Sequence, residues 1–451
     1  MSRDISFLLP ELIVMVTVAL MLLGEMLRLP RLVLGIGLAG LALATWQSAQ
    51  QIGLDTTVFG GTYRIEYLAV WSKLIILPAT ALSLLLARAE LAGTPREGSV
   101  YSLMMLVTIG ALMLSGSGDM MLLVLGLVLT GLGSFALVAY PDDDAATEAS
   151  MKFLVFGSVA GAVMTYGLTF WFAGVGSTLF TPLSGIAEKP LLAAAGLVAL
   201  LIGMGYKAAL VPFHFWAPDA YQGAPVSVAA YMSVITKIAA LFAFAQVFKE
   251  LPVSTGWQWA MAVVAAATMT YGYLAALVQS QLVRLLAYSS VAQSGYFVLG
   301  ILAVGKGTLG VDALVLFGAA YALMNIGAFT IVLLAGRDLS ALDGLARRAP
   351  MLALALVVFL LSLAGIPPLF GFFGKFLLLA AALEAGFLWL VVIAILNSVL
   401  ALAVYLRMVV PMFKPAKEAA PIEKNPVATL VWGSTMLLTL GLGLLATLFT
   451  G

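Results

Sequence analysis

Four lysines stand inside long apolar runs of this chain: Lys73, Lys207, Lys237 and Lys375. An ammonium at the centre of a lipid-embedded helix costs roughly 2.5–3.5 kcal/mol on insertion scales, so each is a functional candidate by default. The chemistry open to such a group is proton transfer, because burial disfavours the charged form and lets a lysine hold or release its proton as neighbouring charges change. A row of such groups joined by water is a relay. Lys237 carries the strongest case. It lies midway along "VSVAAYMSVITKIAALFAFAQVF", ~18 Å from either end at 1.5 Å per residue, too deep to snorkel. The bland alternative is a structural lysine that caps the carbonyls of a broken helix. Lys73, in "YLAVWSK", is expected to snorkel to an interface.

Lys207 and Lys375 stand beside prolines. Pro212, in "GYKAALVPFHFWAPDAYQGAP", and Pro367 with Pro368, in "SLAGIPPLFGFFGKF", each remove a backbone donor and free carbonyls one turn earlier. Such groups are tolerated at membrane depth only where protein or water satisfies them, so both breaks predict a hydrated interior. His214, the only histidine, sits in the first break, and two readings are open for it: a structural hydrogen bond to freed carbonyls, or a part in the relay. Asp219 is expected to cap the segment after the break, with Pro218 and Pro225 fixing its turns.

The elements that must position these residues follow from composition. The chain has 451 residues, 63% of them hydrophobic and 10% charged, which describes a polytopic membrane protein with the lipid bilayer as its solvent and no nucleic-acid partner. With no cysteine and one histidine it offers no metal, haem or iron–sulfur site of its own. Fourteen runs are long enough to cross a ~30 Å hydrocarbon core, the first read as a retained span and not a signal peptide. Short loops join them into a single polytopic domain over 1–451.

The two breaks fall in the seventh and twelfth spans, and "ALVPFHF" laid over "AGIPPLF" shares alanine, proline and phenylalanine. Paired interrupted helices in two halves of a chain mark repeat-built transporters. The expected fold is therefore all-α, with about fourteen transmembrane helices and two inverted five-helix repeats whose seventh and twelfth helices are broken. Three N-terminal helices occupy 1–100, the repeats 101–248 and 257–410, and a last helix 427–449. Thirteen basic loop residues, Lys417 among them, fall on one side, against Arg3, Arg64, Lys189, Lys249 and Lys306 on the other; the retention of basic residues in the cytoplasm then places both termini on the non-cytoplasmic side. Trp46 and Trp257 read as interfacial anchors, "GSVAG" and "GLGLG" as close helix contacts, and Asp142 to Asp144 as a solvated loop.

"PFHFWAPDAYQGAP", "SVITKIAALFAF", "RLLAYSSVAQSGY" and "SLAGIPPLFGFFGKF" followed by "LNSVLALAVYLRMV", in that order, resemble the subunit N family of the proton-pumping NADH:quinone oxidoreductases, respiratory complex I. The resemblance runs from "LLPELI" to about residue 413. It implies an antiporter-like subunit of a bacterial inner-membrane arm, partnered by other membrane-arm and peripheral subunits that carry FMN, iron–sulfur clusters and quinone, with no cofactor in this chain. Carried over by position, it makes Lys207, Lys237 and Lys375 relay lysines and adds Lys152, in "EASMKFLVFG". Two positions depart from the family's pattern. Val128 takes the place of a glutamate expected to partner Lys207, and Gln293 stands in "SSVAQ" where the family tends to have histidine. Related cation/proton antiporter or membrane-bound hydrogenase subunits would share the broken helices and lysines, and a structural module with an impaired relay would account for Val128.

Overall fold

Backbone polar groups in hydrocarbon must be paired within the chain, and long apolar runs meet that demand as helices. The computed structural model describes residues 2–306, 308–415, 422 and 424–450; Lys417 lies outside them. Within them, twelve helices are long and apolar enough to cross a membrane. We number the fourteen helical segments α1 Leu9–Met26, α2 Pro30–Ala49, α3 Tyr67–Leu91, α4 Glu97–Ser115, α5 Met120–Val138, α6 Asp144–Val175, α7 Pro190–Lys207 and α8 Val226–Phe248. They continue as α9 Trp257–Leu277, α10 Leu282–Ile301, α11 Leu309–Ala335, α12 in two halves (Pro350–Ala364 and Phe370–Glu384), α13 Leu388–Met412 and α14 Pro426–Thr450. The fourteen coincide with the fourteen apolar runs. The two outside the twelve long apolar helices are α10, which carries Arg284, Ser289, Ser290, Gln293 and Ser294, and the interrupted α12.

A small antiparallel hairpin interrupts the all-helical pattern. Thr56–Val58 pairs with Tyr63–Ile65, Thr56 opposite Ile65.

Burial sorts the helices. Every residue of α8 is buried, as expected of a helix apolar on all sides. It runs through the middle of the bundle, against α3, α4, α10 and α11. By contrast α5 turns Leu125, Val128 and Leu132 outward, and α6 turns out Val155, Phe156 and Val159. Trp46 is exposed, as an anchor should be. Trp257 corrects its expectation: it is buried, stacks on Phe248 with ring centres 4.4 Å apart, and donates its indole N–H to the Leu251 carbonyl. An aromatic residue at a span end gives no hint from sequence whether it faces lipid or a neighbouring helix.

The basic residues gather at two ends. Arg64 pairs with Glu250 at 2.8 Å and Lys249 with Glu66 at 2.6 Å, with Lys306 lining the same hollow as Lys249. At the opposite ends of these helices, Arg284 meets Asp219 at 2.6 Å and Arg96 meets Asp142 at 3.3 Å. Asp143 caps α6 through the Ala146 N–H and Asp119 caps α5 through the N–H groups of Met121 and Leu122. Four aspartates, Asp119, Asp142, Asp143 and Asp219, thus serve helix ends or ion pairs.

Candidate functional site

The two helix breaks set the geometry. α7 stops at Lys207, earlier than the proline alone required, because Ala209 turns left-handed (φ 54°) and the Leu210 N–H reaches back to the Gly205 carbonyl at 2.8 Å. α12 does the same at Gly365 (φ 90°), with the Ile366 N–H on the Leu361 carbonyl at 3.0 Å. Both are helix C-terminal turns of the kind that a left-handed residue makes. The two breaks therefore match with Ala209 over Gly365, one residue away from the register that shared letters suggest. Only the backbone shows which residue turns.

The freed backbone groups are met by protein. In the first break the Trp216 indole donates to the Tyr206 carbonyl at 2.7 Å, and the Val211 N–H donates to Thr268 Oγ1 at 3.0 Å. In the second, Gln293 donates to the Leu363 carbonyl at 3.0 Å, Lys375 Nζ to the Ala364 carbonyl at 3.4 Å, and the Gly371 N–H to Ser362 Oγ at 3.0 Å. These contacts relieve the demand for water that the break alone implied. Lys375 and Gln293, and not Lys237, cap the carbonyls of a broken helix.

Lys207, Lys237 and Lys375 are almost wholly buried, at 1%, 1% and 3% exposure. Lys237 follows a π-helical turn, Met232–Thr236, the kind of helix defect that frequently marks functional sites. Its Nζ donates to Ser290 Oγ at 2.7 Å and stands 5.8 Å from the Tyr221 ring centre. Nearby, Asn325 donates to Ser233 Oγ and Tyr321 to the Ser233 carbonyl. From Ser290 a polar stripe runs along α10. Ser289 shares a hydrogen bond with the Tyr405 hydroxyl at 2.7 Å, Gln293 donates to that hydroxyl at 3.3 Å, and Lys375 Nζ lies 4.0 Å from the Tyr296 ring centre. Residues 290 to 296 rise about 9 Å at 1.5 Å per residue, so one face of one helix spans the interval between Lys237 and Lys375. Sequence reasoning passed over Ser289, Ser290, Tyr296 and Tyr405. The signal was present in "AYSSVAQSGY", whose polar groups recur at helical spacing on an otherwise apolar span.

Lys207 is placed differently. Tyr206, Trp216 and Tyr221 form an aromatic cluster across the break, with Tyr206 and Trp216 rings 5.4 Å apart and Trp216 and Tyr221 6.0 Å apart. Lys207 Nζ has no hydrogen-bond partner among the described residues and lies 5.9 Å from the Phe153 ring centre. It borders a cavity of about 220 Å³ between α5 and α6 that Val128 also lines. The position that the resemblance assigns to a glutamate thus lines the same cavity as this lysine. His214 is buried between Phe215 and Tyr271, each 4.6 Å away, and its Nδ1 has no hydrogen-bond partner among the described residues.

Lys152 stands apart from the buried row. It is exposed on α6 and pairs with Glu148 at 2.7 Å and Asp219 at 3.2 Å, at the edge of a hollow of about 480 Å³. Asp219 makes no helix cap; it bridges Lys152 and Arg284. Burial by itself raises this carboxyl, and the cations of Arg284 and Lys152 more than offset it, leaving it below its ordinary value. Lys73 corrects its expectation in the other direction. It does not snorkel: it is fully buried, 2.6 Å from Glu11 and donating to Gln51 at 3.0 Å, while the Tyr63 hydroxyl donates to Glu11 at 2.6 Å. Glu11 lies far away in sequence, so the pair was invisible before folding.

Residues 117–401 match the family described as NADH:quinone oxidoreductase/Mrp antiporter, TM. The chain is 37% identical to NADH-quinone oxidoreductase subunit N 1 of Streptomyces griseus subsp. griseus, over 98% of this chain and 96% of the relative. This chain belongs to the NADH-quinone oxidoreductase subunit N family. Subunit N of Desulfovibrio desulfuricans is also 37% identical, over 93% of this chain and 89% of its own length. Among solved structures, a chain of respiratory complex I from Thermus thermophilus with bound Aureothin superposes with a TM-score of 0.87 at 32% identity, covering 98% of each chain. A chain of an archaeal membrane-bound sulfane sulfur reductase shares the fold, with a TM-score of 0.84 at 24% identity over 99% of this chain and 95% of that one.

Proposed function

We propose that this chain translocates protons as an antiporter-like subunit of the membrane arm of a NADH:quinone oxidoreductase in a bacterial inner membrane, driven by quinone reduction elsewhere in the complex. FMN, the iron–sulfur clusters and quinone belong to partner subunits, and this chain contributes no redox chemistry. The observation that carries the reading is the string from Lys237 through Ser290 and the polar face of α10 to Lys375, two buried lysines held by hydroxyl, carbonyl and aromatic contacts, with no carboxylate paired to either among the described residues. Such groups change protonation with little reorganisation, and water bridging the hydroxyls completes a relay. Lys152, beside Asp219 in the exposed hollow, is the collecting group on the cytoplasmic side; Lys207 and His214 at the first break connect inward. The matched left-handed turns at Ala209 and Gly365 support two five-helix repeats, inverted with respect to each other, and the gathering of the larger set of basic residues at one end supports non-cytoplasmic termini.

The test is Lys237→Ala in the assembled complex. Alanine packs within an apolar helix, so assembly is retained, and quinone-coupled proton translocation is expected to fall by about 10²-fold, the lower end of what a positioned proton-transfer group contributes. Wild-type coupled turnover with normal assembly would remove Lys237 from the mechanism. A second reading, a membrane-arm module whose relay is incomplete, is favoured by one observation, the unpartnered Lys207. It predicts that the Lys237→Ala complex pumps with the same stoichiometry as the wild type.

A further inference from the structure

The buried amine of Lys207 and the cavity it borders belong together. A buried charge without a partner is strongly unfavourable, and Lys207 is 1% exposed with no hydrogen-bond partner among the described residues. The cavity of about 220 Å³ at its side lies between α5 and α6 and is walled by apolar and small residues, among them Gly131, Gly161 and Thr165. Its outer rim faces away from the rest of the chain: Val128 is 46% and Leu132 59% exposed. Among the described residues no acidic side chain lines it. Asp119 caps the α5 N-terminus, Asp143 that of α6, and Asp219, which follows Lys207 in the chain, bridges Lys152 and Arg284.

We infer that a neighbouring membrane subunit seats a helix on the α5/α6 face and directs an aspartate or glutamate through this cavity to Lys207, so that the counter-ion of the lysine is supplied by another chain. Charge complementarity decides the chemistry of the occupant: the cavity ends at a lysine Nζ with no hydrogen-bond partner among the described residues, and a carboxylate is the group that favours the protonated form of such an amine. Depth decides its class. Val128 lies near the middle of α5, eight residues after Met120 and ten before Val138, so roughly 12 to 15 Å from either end at 1.5 Å per residue. Lipid headgroups stay at the interface, whereas a carboxylate on a spanning helix reaches that depth once it is paired. Gly131 and Gly161 leave space on both walls, and small residues are what allow a helix backbone to come close in a membrane. The inference rests on this geometry and stands whether or not the chain pumps protons.

The experiment uses the assembled complex. Leu132→p-benzoylphenylalanine places a photoreactive group on the rim; illumination is expected to join it to a spanning segment of another subunit that carries Asp or Glu within one helical turn of the adduct. Should that variant fail to assemble, Val128→Cys in this cysteine-free chain gives the same readout through a short maleimide-linked photoprobe. An adduct confined to lipid, or to a segment with no acidic residue, overturns the proposal. In the second arm, changing the identified carboxylate to its amide is expected to lower coupled turnover several-fold, and Val128→Glu in the same complex is expected to restore it by returning a counter-ion from within the chain. Unchanged turnover in the amide variant, or failure of Val128→Glu to rescue it, removes the counter-ion role. Because the adduct is identified by mass, the first arm reads out the docked carboxylate independently of proton translocation.

Discussion

At the scale of single residues, what distinguishes the lysines of this chain is the partner each one has. Lys73 has a carboxylate 2.6 Å away and is fully buried, so it acts as half of an ion pair that ties α3 to α1. Breaking such a pair by removing one partner leaves an uncompensated charge. Glu11→Gln is therefore expected to destabilise the chain by about 3–5 kcal/mol, measured as a lowered unfolding midpoint of the purified complex or loss of assembled subunit; an unchanged midpoint would show that Gln51 and Tyr63 hold Lys73 without help. Asp219 is the opposite kind of group, half-buried between two cations outside the spans. Its carboxyl lies below its ordinary value, so the bridge it makes is fully present above the unfolded value near pH ~4 and is lost as pH falls through the still lower folded value. Asp219→Asn is expected to abolish that acid-side loss and to weaken the hold of the short helix Trp216–Gly223 on α6 and α10. The check is hydrogen exchange of that helix across pH; identical profiles in the two proteins would show that the bridge carries no stability.

At the scale of elements, the breaks owe their shape to one left-handed residue each more than to proline. Gly365 turns at φ 90°, and a Cβ there would meet Lys375 Cδ at 3.0 Å. Gly365→Ala is expected to cost roughly 1–2 kcal/mol in backbone strain and to push the Lys375 stem away, lengthening the contact of its Nζ with the Ala364 carbonyl. Coupled turnover should fall more than assembly does. Turnover and stability both at wild-type levels would show that the turn has room to relax. The first break tolerates a non-glycine residue at the same place, Ala209, where the Trp216 indole on the Tyr206 carbonyl and Thr268 on the Val211 N–H hold the turn from outside. The same bend is thus reached by a permissive residue in one half of the chain and by hydrogen-bonding neighbours in the other.

At the scale of the whole molecule, the two clusters of basic residues make orientation testable. Ser184 lies at the end that holds Lys249 and Lys306, in the same hollow, and Ser340 in the loop between α11 and α12 at the other end, near Arg337. Both are exposed, and the chain has no cysteine of its own. In sealed right-side-out vesicles an impermeant maleimide is expected to label Ser184→Cys and to spare Ser340→Cys until the membrane is opened. The reverse pattern would invert the topology and move the collecting role of Lys152 to the other side.

The sequence by itself determined the class of solvent, the position of nearly every helix, the two breaks and the three lysines buried beside or between them. Each of these follows from local properties: apolar length against the thickness of hydrocarbon, a proline's missing donor, and the cost of a charge in lipid. What it left undecided depends on contacts between residues far apart in the chain. Lys73 and Lys207 look alike in sequence, each a lone lysine in an apolar run, yet folding brings Glu11 to one and, among the described residues, no hydrogen-bond partner to the other. Lys152 belongs by position with the buried lysines, yet α6 turns it to the exposed hollow. Trp257 sits at a span end like Trp46 and is buried while Trp46 is exposed, because α8 happens to lie against it. The one-residue shift between the two breaks has the same origin: identity of letters records composition, while the left-handed turns at Ala209 and Gly365 are chosen by the hydrogen bonds that the surrounding helices offer. A residue's type sets what it could do, and only the tertiary structure, by supplying or withholding a partner at about 3 Å, decides what it does.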